Sequence, residues 1–297
     1  MTTLPITRWS RIVAWLFLTL ATLGIAQAEE PAWSQPRQPF RIYGNTWYVG
    51  TQGLSAILIT SPGGHVLIDG TLPRNAAQIE ANIRALGFKL RDVRVILNSH
   101  AHADHAGAIA RLARDSGAQV WASSNGARAL KAGGNDPDDP QYGMAPRYPA
   151  VAHVAVIRDG GRVRAGTITV TAHYTPGHTP GSTSWTWQSC EGSRCLAMVY
   201  ADSLTALGSR DYRFTDDSSH PHRVEDFRHS IARVGALPCD VLLTPHPDAS
   251  GFIDKADRRG RSAQADPLVD PQACRNYAAG ARERFDGLLR QEGRTPH

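Results

Sequence analysis

Four of ten consecutive residues, Asn98 to Gly107, carry side chains that bind divalent metals: His100, His102, Asp104 and His105. Their spacing, His-x-His-x-Asp-His, divides into two pairs. Residues two apart in an extended segment project to the same side, so His100 and His102 are placed to grip one ion. Asp104 and His105, at the turn into a helix, point elsewhere and are placed to grip a second. Each pair is one ligand short of the three protein ligands that a catalytic zinc uses. Two lone histidines in rigid loops can complete them. One is His178, in Pro176-Gly177-His178-Thr179-Pro180-Gly181, and the other is His246, in Thr244-Pro245-His246-Pro247. The expected sets are His100, His102 and His178 for one Zn2+ and Asp104, His105 and His246 for the other, giving two Zn2+ per chain. Three protein ligands per ion leave positions open, and water held there has its pKa drawn towards neutrality. The chemistry implied is hydrolysis.

Such a loop needs a scaffold. Val93-Arg94-Val95-Ile96-Leu97 before it reads as a buried strand, and a helical pattern from Ala108 ends at Gly117. Upstream, two hairpins are expected, turning at Gly44-Asn45 and Ser61-Pro62-Gly63, followed by a helix over 75–86. Ser123 is placed to cap a helix running to Lys131. The stretch Gly133 to Pro149 holds four prolines and three glycines. An irregular segment of that length, between the presumed halves, suits a lid over the site. Strands follow at 154–157, 168–174, 184–188, 196–200 and 241–244, with helices at 224–234 and 274–289. This order suggests an α+β fold of two sheets packed face to face with helices outside, each half of the chain giving one pair of layers.

The chain has 297 residues, with 32 basic against 27 acidic side chains and a net charge of +5. No Lys/Arg block stands out, so no nucleic-acid partner is expected. The first 28 residues read as a signal peptide. Arg8 and Arg11 form the basic start, 12–25 the apolar run, and Ala26-Gln27-Ala28 the cleavage site. The apolar run is short for a membrane span. The mature chain, 29–297, is expected to be a single domain, periplasmic, with no membrane contact after cleavage. Four cysteines remain, Cys190, Cys195, Cys239 and Cys274. An even count in an exported chain points to disulfides. Three pairings are possible. Cys190 and Cys195 flank a hairpin tip and are expected to pair, which leaves Cys239 to pair with Cys274.

Together, His100–His105, Thr175-Pro176-Gly177-His178-Thr179-Pro180-Gly181-Ser182 and Pro245-His246 resemble the metallo-β-lactamase superfamily. Trp185-Thr186-Trp187, Tyr200-Ala201-Asp202-Ser203-Leu204-Thr205 and the absence of a metal-ligand cysteine resemble its subclass B3. The resemblance spans essentially the whole mature chain. It implies a four-layer αββα sandwich with the dizinc site between its halves. It implies a monomer that hydrolyses the amide of small-molecule β-lactams (penicillins, cephalosporins, carbapenems) by zinc-bound hydroxide, without an acyl-enzyme, and so confers antibiotic resistance. Asp104 would orient the hydroxide. Ser203 and Thr205 match positions that hold the substrate carboxylate, and Gln141 matches a loop position that touches bound drug. Asp69 resembles a carboxylate that orients a ligand histidine. Some relatives have an N-terminal disulfide, but this chain has no cysteine before Cys190 and carries Gln52 in that neighbourhood. A thioesterase or lactonase of the same fold is the alternative. In such enzymes an Asp near position 202 bridges the metals.

Overall fold

A computed structural model describes residue 2 and residues 30–216, 218, 221–261 and 265–293. Apart from residue 2, the leader expected over 1–28 lies outside the described residues.

The first half builds one sheet. Phe40–Tyr43 (β1), Thr46–Tyr48 (β2), Ile57–Ile59 (β3) and His65–Ile68 (β4) pair antiparallel in sequence order. Val93–Leu97 (β5), Gln119–Ala122 (β6) and Val154–Val156 (β7) continue it as parallel strands. Parallel neighbours need crossovers. Ala76–Ala85 (α1), Ala103–Ala106 (α2), Ile109–Ser116 (α3) and Ser124–Lys131 (α4) lie in them. The Ser123 side chain accepts a hydrogen bond from Gly126 N and caps α4, and Gly117 ends α3 with φ 75°.

The second half builds the other sheet. Arg162–Ala165 (β8), Ile168–Tyr174 (β9), Thr183–Glu191 (β10) and Arg194–Tyr200 (β11) are antiparallel, and Val241–Leu243 (β12) pairs parallel with β11. Arg223–Ala236 (α5), Phe252–Asp257 (α6) and Ala273–Glu292 (α7) complete the helices. The short α2 and α6 are the elements that apolar periodicity did not show, because one or two turns cannot display a 3.6-residue repeat.

Three apolar clusters define the layers. Ile57, Ile68, Val170, Trp185, Tyr200 and Leu243 lie among the side chains packed between the sheets. Ile79, Ile83, Leu112 and Leu130 pack the first sheet's helices onto its outer face, with Leu58, Leu67 and Ile96. Phe227, Ile231, Ala278 and Phe285 do the same for α5 and α7 against Val199 and Leu242. The fold is the αββα sandwich that the strand order predicts.

The cysteines pair Cys190–Cys195 and Cys239–Cys274. The second bridge joins the start of β12 to α7 across 35 residues of chain. Replacing both of its cysteines by serine is expected to cost about 3 kcal/mol, because the unfolded chain regains the freedom the bridge removes. Urea unfolding without reductant should show a lowered midpoint, and an unchanged midpoint would contradict this. The N-terminal segment, which lacks a disulfide, is held by hydrogen bonds instead. Gln52 N donates to Gln35 O (3.0 Å), Gly53 N to Ala32 O (2.9 Å) and Arg37 Nη1 to Gln52 Oε1 (2.8 Å).

Candidate metal centre

The site lies where several strands of both sheets end. β5 runs out into Asn98–His102, α2 follows at once and carries Asp104 and His105, the β9–β10 turn carries His178, and the residue run after β12 carries His246. Gly177 allows the β9–β10 turn to sit against α5. Its φ is 151°, and a Cβ there would fall 1.8 Å from the Phe227 ring. The halves are joined beside the site. Thr183 N donates to Ser99 O at 2.8 Å, and the Trp185 indole donates to Asn98 O at 3.1 Å.

Metal-binding atoms of His100, His102 and His178 lie within 4.8 Å of one another, all on buried residues. Each ring spends one N–H on an acceptor. His100 Nδ1 donates to Asp202 Oδ1 (2.7 Å), His102 Nε2 to Asp139 Oδ2 (2.9 Å) and His178 Nδ1 to Thr205 O (2.8 Å). A neutral imidazole with one nitrogen protonated offers a lone pair on the other. The three free nitrogens are therefore His100 Nε2, His102 Nδ1 and His178 Nε2. Of these, His100 Nε2 is buried with no hydrogen-bond partner.

Asp104, His105 and His246 form the second group. Asp104 Oδ2 lies 3.0 Å from His105 Nε2 and 3.1 Å from His246 Nε2, and the two ring nitrogens are 3.1 Å apart. Ligand atoms 2.0–2.1 Å from a tetrahedral zinc stand about 3.3 Å from one another. Nitrogen and oxygen donors with that spacing suit a zinc ion, so the donor set and the orphaned His100 nitrogen fit the metal.

Electrostatics keep the histidines ready for a cation. Burial pushes His100 well below its ordinary pKa, and the His105 and His102 rings add to this. Burial, with His100 and His102 beside it, pushes His178 down to about 3, and burial lowers His105. Burial also works against protonated His102, but the Asp139 carboxylate outweighs it and raises that ring. Burial would raise the Asp104 carboxyl, yet His105 and His246 hold it well below the usual carboxylate range. The neutral forms favoured at His100, His178 and His105 leave lone pairs open to a metal with little competition from protons, whereas Asp139 favours a proton on His102.

Asp69 corrects one expectation. It was expected to orient a ligand histidine, but its carboxylate holds the loop before the histidines. Oδ1 accepts from Asn98 Nδ2 (3.0 Å) and Ser99 N (2.8 Å), and Oδ2 from Ser99 Oγ (2.6 Å) and Tyr200 OH (2.8 Å). The carboxylates that do contact the clustered histidines are Asp202, at His100, and Asp139, at His102. Asp69 and Thr71 have φ of 62° and 55°, costly for residues other than glycine. The turn they make lets Gly70 N reach His105 O (2.7 Å) and Thr71 O accept from Ala108 N (3.1 Å). These two hydrogen bonds tie the turn to α2 and to Ala108 beyond it.

Burial raises the Asp69 carboxyl from its ordinary 3.8 to about 7, against the hydrogen bonds from Ser99 and Tyr200. Between those values the folded, zinc-free chain keeps a proton that the unfolded chain has released. Its contribution to stability is complete below the unfolded value and is lost as pH rises through about 7. An Asp69→Asn variant has no such titration. The stability of the wild type minus that of the variant, from urea unfolding of zinc-free protein, should fall between about pH 5 and pH 8. A difference that stays level or grows would contradict the assignment.

Ser203, Thr205 and His246 line a cavity of about 190 Å³ together with Thr244 and Tyr277. Gln141 is buried in the 133–149 loop, where its backbone N–H donates to Asp139 Oδ1 (2.8 Å). Asp139 was not anticipated from sequence. The acidic run Asp136-Pro137-Asp138-Asp139 in a loop facing a histidine cluster is the signal that could have marked it.

The profile of the metallo-β-lactamase superfamily matches residues 49–191. The solved structure of the Rm3 metallo-β-lactamase is 51% identical, with a TM-score of 0.86, over 89% of this chain and 97% of that one. The chain belongs to the metallo-β-lactamase superfamily. MEM-A1, a subclass B3 metallo-β-lactamase isolated from a soil metagenome library, is 47% identical with a TM-score of 0.85, over 88% of this chain and 98% of that one. A hydroxyacylglutathione hydrolase of Anaeromyxobacter dehalogenans (strain 2CP-C) is 30% identical over 191 residues, 64% of this chain. That match spans 58% of the hydrolase's own length. Likeness to the two metallo-β-lactamase structures covers nearly their full chains, whereas likeness to the hydroxyacylglutathione hydrolase is partial.

Proposed function

We propose that this metallo-β-lactamase family member is an exported dizinc enzyme that opens the amide ring of β-lactams. The observation that carries the reading is the buried cluster of His100, His102 and His178, whose metal-binding atoms lie within 4.8 Å of one another, beside a second group of Asp104, His105 and His246. His100, His102 and His178 would hold one zinc, and Asp104, His105 and His246 the other. When bound, the metals supply Lewis acidity and a water of near-neutral pKa.

The chain's own residues supply position and proton handling. Asp104 contacts His105 and His246 through Oδ2, leaving Oδ1 to accept a hydrogen bond from the attacking water. Ser203 and Thr205 carry hydroxyl donors for the carboxylate that β-lactams bear, and Gln141 offers a side-chain amide from the loop. Water oxygen adds to the carbonyl carbon, the ring C–N bond breaks, and a proton from that water passes to the freed nitrogen. The two disulfides fit an oxidising compartment. Among the described residues no helix is long and apolar enough to cross a membrane. The enzyme is proposed to act as a periplasmic monomer.

Likeness to a hydroxyacylglutathione hydrolase supports a second possibility, a thioesterase or lactonase. That chemistry calls for a carboxylate bridging the metals. Here Asp202 Oδ1 accepts from His100 Nδ1, and likeness to metallo-β-lactamase structures over 97–98% of their chains favours the β-lactamase. Zinc-loaded protein should be assayed against a penicillin, a cephalosporin and a carbapenem beside S-lactoylglutathione and an acyl-homoserine lactone. β-Lactam turnover that a chelator abolishes and zinc restores is expected. Turnover of the thioester or lactone alone would overturn the proposal.

A further inference from the structure

The 133–149 loop grips the three-histidine group at two points. Asp139 Oδ2 accepts from His102 Nε2 at 2.9 Å, while its Oδ1 accepts from Gln141 N at 2.8 Å and shapes the loop. Near the loop's other end, Tyr148 OH donates to Ala101 O at 2.9 Å, the carbonyl between His100 and His102. The same loop is tied to the second half of the chain. Ser209 N donates to Pro140 O (2.7 Å), and Arg223 Nη2 donates to Asp138 O (2.9 Å). Tyr142 and Met144, on the same loop, are large apolar residues left 44% and 41% exposed.

We propose that Asp139 is a positioning residue that couples metal capture by His100, His102 and His178 to the conformation of the 133–149 loop. The inference rests on reading that group as a zinc site. For His102 to bind through Nδ1, its Nε2 must carry the proton, and that buried N–H needs an acceptor. Asp139 supplies it, and only while the loop is folded with this carboxylate turned inward. A metal that fixes the ring therefore stabilises the folded loop. By the same linkage, a folded loop tightens the metal. A substrate that packs on Tyr142 and Met144 would hold the loop down and so strengthen metal binding.

The test combines zinc affinity, the visible spectrum of the Co(II)-substituted protein and amide hydrogen exchange over 133–149, with and without zinc. In the wild type, zinc should slow exchange across the loop. Asp139→Asn has one carbonyl oxygen where Asp139 offers two, so His102 Nε2 and Gln141 N can no longer both be satisfied. It should weaken binding of one zinc by about 10–100-fold, alter the Co(II) spectrum and lose the zinc-dependent protection. Tyr148→Phe removes the other tie but leaves His102 its partner, so loop exchange should rise while the Co(II) spectrum stays that of the wild type. Wild-type zinc affinity and unchanged protection in Asp139→Asn would overturn the coupling. So would a wild-type loop whose exchange does not respond to zinc, a result that needs no variant to fold. Failure of the wild type to bind zinc at all would instead overturn the metal-site reading itself.

Discussion

Asp104→Asn will lower kcat/KM for a β-lactam by about a thousandfold or more, a loss of about 4 kcal/mol of transition-state stabilisation, with the fold intact. The substitution is nearly isosteric, so packing around α2 is preserved. What disappears is the negative charge that sits 3.0 Å from His105 Nε2 and 3.1 Å from His246 Nε2. Without it, the second group has two imidazoles and a weakly donating amide, a poorer donor set for zinc than one that includes a carboxylate. The acceptor for the attacking water's proton is lost at the same time. Steady-state kinetics, zinc content and thermal unfolding measured on one preparation separate these effects from misfolding. A variant that keeps more than a tenth of the wild-type kcat/KM would mean that Asp104 serves neither role.

The largest effect on stability is expected at Trp185. This side chain is fully buried between the sheets and donates its indole N–H to Asn98 O at 3.1 Å. Trp185→Ala removes one of the two buried indole rings in that layer and strands the Asn98 carbonyl that it hydrogen-bonds. The cavity costs about 3–5 kcal/mol and the lost hydrogen bond about 1–3 kcal/mol. The sum rivals the whole stability of a typical domain, so the variant should be largely unfolded or recovered in low yield. Trp185→Phe refills most of the space and loses only the N–H, for about 1–3 kcal/mol. Its urea midpoint should lie between those of the wild type and the alanine variant. Equal midpoints for the phenylalanine variant and the wild type would show that the indole hydrogen bond to Asn98 contributes nothing.

The cluster of His100, His102 and His178 was legible in the sequence because its pattern is local. Two residues apart on an extended segment means one side, and lone histidines between prolines and glycines mark rigid loop ends. The sandwich was legible for a similar reason, since its strands are apolar runs broken by turn residues. The acceptors behind the histidines were not legible. Asp139 and Asp202 lie 37 and 102 residues from the rings they contact, and no local pattern encodes a contact that only the packing of two sheets and a loop creates. Asp69 shows the reverse case. Resemblance to the family marked it as a carboxylate that orients a histidine. Which of the loop's groups it would hold depended on the left-handed turn at Asp69 and Thr71, a conformation that β-branched threonine rarely adopts.

Ala103–Ala106 carries the same lesson. The tight turn into a helix was readable from Asp104 onward, but a one-turn helix separate from α3 was not. The break between α2 and α3 matters, because it lets His105 face His246 while Ile109 and Leu112 face the core.

Native mass spectrometry of the zinc-loaded protein tests the central claim most directly, because it counts ions per chain. The account predicts saturation at two zinc ions, with His178→Ala and His246→Ala each binding one fewer, since each histidine completes a different group from the second half of the chain. Saturation at a single ion, or two ions retained when both histidines are replaced together, would contradict it.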